Sequence, residues 1–394
     1  MRIPDGWKKV KLKDITESIN GGGTPRRDVK EYWDNGDIPW LKISDLKFIY
    51  ISESEEKITQ KGLENSSAKL FSKGTVLFSI FATLGAVGIL EKSATTNQAI
   101  AGIIPKKEII DTKYLYYSLK AEKNNIVAKK THATQDNINL TILRNHEVLL
   151  PPLEVQKKIV TILEKAEQLK QWRQESDKLT DEYLNSVFLE MFGDVYKNPF
   201  SFEEKNLGEL AEFAMGGTPD PRHQEYYSGG IGWVKGGDID KEFIYEAENR
   251  ISELGLKNSR AQIYEKDTVL IGRTGQGKTR GKTAILRMES STNETVIGIK
   301  PNRKLLTSEY LHYNLKFRYK ELRDIGGDAK RGGITQRDLN RLKIIVPPIE
   351  LQNKFSTVVT RFEKMKRYHK LSRQQIDDLF NTLMQKAFRG ELIC

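Results

Sequence analysis

The residues of this chain that most invite a chemical reading are Gly272-Arg273-Thr274-Gly275-Gln276-Gly277-Lys278-Thr279, which match the phosphate-loop pattern GxxxxGK[ST] and follow the apolar run Val269-Leu270-Ile271. A phosphate loop works because a helix begins at its lysine, so that free backbone N–H groups and the helix dipole converge on the phosphates. Here Arg280-Gly281-Lys282 follow, with a glycine in the would-be first turn, and then the strand-like Thr283-Ala284-Ile285-Leu286. An apolar strand ending in an aspartate able to hold magnesium does not follow at a convincing distance. The segment therefore reads as a glycine-rich hairpin loop bearing Arg273, Thr274, Gln276, Lys278, Arg280 and Lys282, with a nucleotide hydrolase as the alternative. Arginine and glutamine pair bidentately with guanine and adenine edges in the major groove, and lysines suit backbone phosphates.

A second cluster comprises Lys129-Lys130-Thr131-His132-Ala133-Thr134-Gln135 and its later counterpart Lys330-Arg331-Gly332-Gly333-Ile334-Thr335-Gln336. Basic residues beside a small-residue turn can hold phosphate with cations and backbone amides. Thr335 also fits a helix N-cap, with Asp338 at the capping-box position, and a capped helix start is itself an anion site. Other chemistry lacks its parts. The histidines, at 132, 146, 223, 312 and 369, show no metal-ligand spacing, and no GxSxG occurs. The single cysteine, Cys394, permits neither a disulfide framework nor a cysteine zinc site within one chain, and points to a reducing compartment. The expectation is a binder with no catalytic residue, no metal and no cofactor of its own.

These clusters sit in a frame that occurs twice. GGTPRRDVKEYWDNGDIPWLKISDL, from Gly22, returns as GGTPDPRHQEYYSGGIGWVKGGDI from Gly216, and each copy runs on into PP-[LI]-E-[VL]-Q and a long heptad-like stretch. A period this long means duplicated domains. The place of the basic hairpin is taken in the first copy by Ser79-Ile80-Phe81-Ala82-Thr83-Leu84-Gly85-Ala86, which offers Ser79 and Thr83 among apolar neighbours. Different side chains on one scaffold imply a different base sequence read by each half. The GGTP turns read as structural, since glycine pairs before proline set tight backbone geometry. Trp40 and Trp233 read as core residues. Strands are expected at Thr75 to Ile80 and Ala86 to Leu90, and a helical patch at Tyr114 to Glu122, so the class is α+β.

After Pro151-Pro152, apolar residues recur at steps of four and three: Val155, Ile159, Ile162, Ala166 and Leu169, matched later by Leu351, Phe355, Val358, Phe362 and Met365. Such spacing is a coiled-coil seam, and the polar residues at its middle in both copies suggest that the two helices partner each other. The alternative is two amphipathic helices, each lying on its own domain. Leu153 to Phe192 spans ~60 Å at ~1.5 Å per residue. Gly193 and Gly390 stand where a helix-terminating glycine belongs. The expected organisation is two globular units, 1–150 and 195–346, with helical segments 151–194 and 347–394. A net charge of +11 and a pI near 9.3 suit a polyanionic partner. With nowhere ~18 uncharged apolar residues together and no signal-like start, a soluble, cytoplasmic protein without a membrane partner is expected.

Two tandem GGTP-opening units, each running through a Thr-Gln segment into PP-[LI]-E-[VL]-Q and a long helix, resemble the DNA specificity subunit of type I restriction-modification systems over essentially the whole chain. The resemblance implies two target recognition domains, each reading one half of a split site in double-stranded DNA. It implies that the helices form an antiparallel coiled-coil spacer, which docks two methyltransferase (modification) subunits that bind S-adenosylmethionine and methylate adenine. Restriction subunits would supply translocation and cleavage, driven by ATP with Mg. The phosphate-loop look-alike is a departure, since the family predicts no nucleotide on this subunit.

Overall fold

Runs of apolar and β-branched residues build one five-stranded sheet in each half of the repeat. The computed structural model describes residues 3–129, 131–132, 136–275, 279–325 and 332–393. Its contacts group the chain into unit 1, Met1–Arg173 with Ser372–Cys394, and unit 2, Gln174–Leu371.

In unit 1 the sheet runs, in spatial order, Thr16–Gly21, Ile100–Pro105, Val76–Ser79, Val87–Leu90 and Tyr50–Ile51. All pairings are antiparallel except the last. The central strand is buried along its length, and its side chains alternate between two cores as a two-residue period demands. Val76 and Phe78 meet Tyr114, Leu115 and Leu119 of the helix Thr112–Val127, whereas Leu77 packs with Leu41, Phe71 and Leu90. Unit 2 repeats the topology with Ala211–Met215, Val296–Pro301, Val269–Gly272, Thr283–Leu286 and Phe243–Ile244. There Val269 and Ile271 meet the core of the helix Ser308–Phe317, and Leu270 faces the opposite side.

The central helix, Leu153–Phe192, and the C-terminal helix, Ile349–Arg389, end at Gly193 and Gly390, which adopt left-handed φ of 73° and 77°. Each unit contains half of each helix. In unit 1 the core takes Ile159, Val160, Leu163 and Ala166 from the central helix and Phe380, Met384 and Ala387 from the C-terminal one, with Lys170 Nζ 2.7 Å from Asp377. In unit 2 the rings of Tyr183 and Phe362 stack at 5.4 Å, Lys366 pairs with Asp181 at 2.5 Å, and His369 with Asp177 at 3.0 Å. One helix's numbers rise as the other's fall, so the helix halves within that unit pack antiparallel.

The buried stripe departs from the expected seam. Ile162 is only half-buried and Leu169 is 41% exposed, whereas Val160 and Leu163 are buried. In unit 2 Phe355 and Val359 are fully buried, Val358 and Phe362 pack partly against the core, and Met365 is half-buried. Each helix packs on its globular domain as well as on its partner, which widens the buried stripe beyond a two-helix seam. Among the described residues no helix is long and apolar enough to cross a membrane.

Candidate nucleic-acid interface

In unit 2, Met215 pairs with Ile297, Gly272 with Val296, and Ile271 with Thr283. The chain leaving the first strand, the chain entering the Val296–Pro301 strand and the turn between the middle strands therefore all lie at one end of the sheet. Backbone hydrogen bonds stitch them together: Gly217 N–H donates to Thr292 O at 2.9 Å, Arg273 N–H to Thr295 O at 2.8 Å, and Ile334 N–H to Arg273 O at 3.1 Å. The basic hairpin, the GGTP turn and the Gly332-Gly333 segment, remote in sequence, thus form one edge. A Cβ on Gly333 would lie 3.0 Å from Arg273 O, so only glycine lets these loops close without a shift.

Arg273 is half-buried at the base of the hairpin, and Thr274 closes it by accepting the Thr279 hydroxyl on its carbonyl at 3.2 Å. Arg280, half-buried, directs Nη1 at Gly332 O at 3.5 Å. The Lys282 ammonium is ion-paired with Asp240, which offsets the charge expected to meet phosphate. Gln276, Lys278, Lys330 and Arg331 lie outside the described residues. After Thr279 the chain turns and enters the strand Thr283–Leu286, so the helix that a phosphate loop requires is replaced by a strand.

Thr335 caps the helix Gln336–Arg341: its Oγ1 accepts the Asp338 N–H at 3.2 Å and donates to Asp338 Oδ2 at 2.6 Å. The capping box expected from Thr335 and Asp338 is thus present at the helix start. Gln336 is half-buried and lines a groove with Thr218, Arg260, Gln262 and Glu294. Sequence reasoning missed Arg260 and Gln262. The available signal was divergence inside a matching frame, since Ser67 and Lys69 hold those places in the first copy.

Unit 1 builds the same edge. Gly23 N–H donates to Thr96 O at 2.9 Å, Ile80 N–H to Ala99 O at 2.8 Å, and Ile138 N–H to Ile80 O at 2.9 Å. Ser79 is buried, and its hydroxyl accepts the Ala86 N–H at 2.7 Å while donating to Thr83 O at 2.5 Å. It pins the loop from inside and does not present itself to a partner, which corrects its expected role. Thr83 is exposed at the tip, beside Ala82 in the left-handed region at φ 55°. Lys129 is exposed, with Nζ 3.4 Å from His146 Nδ1. Lys130, Thr134 and Gln135 lie outside the described residues.

The bond from Ile138 to Ile80 repeats that from Ile334 to Arg273, so Asn139, which caps Leu140–Arg144, is the counterpart of Thr335. Before it, Thr131–His132 pairs with Asp136–Asn137 in a short antiparallel ladder.

Behind the unit 2 edge lies a network that the sequence did not announce. Thr283 Oγ1 is 3.0 Å from His312 Nδ1, and His312 Nε2 is 3.5 Å from Glu242. Glu242 also meets Lys316 at 2.7 Å and Lys366 at 2.5 Å. Burial pushes the Glu242 carboxyl up, but His312, Lys316 and Lys366 outweigh it and hold the group well below the carboxylate range. Burial pulls the His312 imidazole down, only partly countered by Glu242. No group of side chains among the described residues is arranged to hold a metal ion.

The family described as type I restriction modification DNA specificity domain matches residues 4–179 and again 199–377. The chain is 28% identical to the type I restriction enzyme MjaIX specificity subunit of Methanocaldococcus jannaschii, over 99% of this chain and 94% of that one. It is 31% identical to the EcoR124I/EcoR124II specificity subunit of Escherichia coli over 38% of each. Among solved structures, the fold resembles the type I restriction-modification S subunit of M. genitalium, with a TM-score of 0.59, 17% identity and 98% of each chain covered. A chain from a study of assembly and conformational transition in a type I R-M system gives 0.63, 20% identity and full coverage of both.

Proposed function

Because the chain belongs to the type I restriction modification DNA specificity domain family, we propose that it is the non-catalytic, sequence-specific DNA-recognition subunit of a type I restriction-modification complex. It reads a two-part site in double-stranded DNA, one part per globular domain, with residues 1–150 and 195–346 as target recognition domains and segments 151–194 and 347–394 as the spacer. The observation that carries this reading is one loop edge built twice: Ile138 bonded to Ile80 and Ile334 bonded to Arg273 hold equivalent edges whose outward side chains differ. A shared scaffold with different side chains is what two unlike half-sites require.

Affinity comes from phosphate contacts by the basic surface, and base choice from a few side chains at each edge, Thr83 in unit 1 and Arg273 and Arg280 in unit 2. The described helices leave Leu179, Tyr183, Tyr368 and Leu371 of unit 2 exposed, apolar surface suited to a protein partner. Two adenine methyltransferase subunits dock on the helices and bring S-adenosylmethionine. Restriction subunits bring ATP and Mg, and the complex works in the cytoplasm. A helix of ~60 Å is longer than one ~34 Å turn of DNA, a length suited to a ruler between two half-sites.

The alternative is a stand-alone DNA-binding protein. Titrating a labelled target duplex with the chain alone, and then with its methyltransferase subunits, separates the two. The subunit reading expects sequence-specific affinity to rise sharply with the partners. Full specific affinity without them overturns it.

A further inference from the structure

Among the described residues, the buried carboxylate and imidazole of the network behind the unit 2 edge are not repeated at the equivalent places of unit 1, although both units carry a lysine bridging the two helices, Lys366 to Asp181 and Lys170 to Asp377. The Ile285 N–H donates to Glu242 O at 3.0 Å as the Ile89 N–H donates to Ile49 O at 2.7 Å, so the buried carboxylate of one copy stands where the other has isoleucine. Tyr310 and Tyr114 each donate to the carbonyl of an equivalent strand, Ile345 and Leu149, which places Tyr116 at the position of His312. The fold is thus satisfied there without a buried carboxylate on the strand: Lys120, at the place of Lys316, reaches the Tyr116 hydroxyl at 3.3 Å and Glu167 of the central helix at 3.2 Å. A buried carboxylate brings little net stability, but it fixes geometry through directional bonds.

The bonds run from the reading edge to both helices. Lys282, at the exit of the hairpin, pairs with Asp240, and Thr283 meets His312. His312 and Lys316 converge on Glu242, which reaches Lys366 of the C-terminal helix. Lys366 in turn holds Asp181 of the central helix. We propose that Glu242 is a positioning residue that fixes the seat of the second reading edge on the helical pair, and with it the spacing to the second half-site, at a place where unit 1 has Ile49. The inference rests on the DNA-reading function proposed above.

The test reconstitutes the full chain with its methyltransferase subunits and sequences the products of a DNA library in which both half-sites and the spacer length vary. Glu242→Gln and Lys366→Met are expected to raise methylation at spacers one base pair off by at least about fivefold and to relax the second half-site, leaving the first unchanged. Lys366→Arg, which keeps the charge, is expected to retain the wild-type profile. Where Glu242→Gln does not assemble, the two Lys366 variants carry the same comparison. Unchanged spacing and selectivity in assembled Glu242→Gln or Lys366→Met, even with a lowered melting temperature, overturn the proposal and leave the network merely structural. Wild-type complex that methylates no split site overturns the DNA-reading function and this inference with it.

Discussion

The Gln352 side-chain carbonyl accepts the backbone N–H of Thr307 at 2.9 Å, fastening the globular part of unit 2 to the first turn of the C-terminal helix. The same amide donates to Pro347 O at 2.8 Å and Leu305 O at 3.0 Å, and Gln156 repeats the pattern with Asp111 N–H, Pro151 O and Ile109 O. Both glutamines are fully buried. The closing glutamine of the PP-[LI]-E-[VL]-Q segment is thus a three-point clamp. Gln352→Leu strands buried backbone groups, each costing about 1–3 kcal/mol, and is expected to destabilise the chain by at least that much in urea denaturation. A loss below about 0.5 kcal/mol contradicts the clamp.

Arg273 stands where unit 1 has Ile80, one place beyond Ser79, and the two polar residues are in opposite situations, Arg273 half-buried at the hairpin base and Ser79 buried beneath its loop. Arg273→Ala is expected to relax base preference at the second half-site by about 1–3 kcal/mol, the worth of a bidentate contact. Ser79→Ala removes a buried staple, so it is expected to cost roughly 1 kcal/mol of stability without changing which bases are preferred. Competition binding with single-base variants of the target checks both. A changed base preference in Ser79→Ala refutes its internal role.

The phosphate-loop look-alike leads into the strand Thr283–Leu286. The isolated chain is therefore expected to show no ATPase activity above background, and Lys278→Ala no change in it, measured by phosphate release. Turnover that disappears in Lys278→Ala reverses the assignment.

Unit 2 is expected to be acid-sensitive in two stages. His312 titrates below its ordinary value in the fold, so its contribution is fully present above the unfolded value of about 6.5 and fades as pH falls through the folded one. Glu242, faced by His312, Lys316, Lys366 and Tyr313, is also held low, so its contribution is present above about 4.3 and is lost on further acidification. Melting temperature measured from pH 8 to pH 4 should fall in that order, and His312→Asn should remove the first stage. An unchanged first stage in that variant removes His312 from the account.

Local signals made the helices and central strands legible in the sequence. Prolines and a first-turn glutamate open Leu153–Phe192, Gly193 closes it, and the apolar run at Val76–Ser79 can only be a buried strand. The seam was legible in period but not in width, since Val160 and Leu163 turn inward to meet a domain whose position no helical spacing encodes. Candidate loops were legible one at a time. Their meeting was not, because the bond of Ile334 to Arg273 joins residues far apart in the chain. Ser79 looked available because a serine on a loop carries no mark of burial, and neither does Glu242, set between Lys241 and Phe243.

The central claim is that two unlike reading edges act at a fixed separation, and it is tested most directly by mapping every adenine methylated by the reconstituted complex. The account predicts a motif of two short specified blocks separated by a non-specific spacer of constant length. A single uninterrupted motif, or two blocks at freely varying separation, contradicts it.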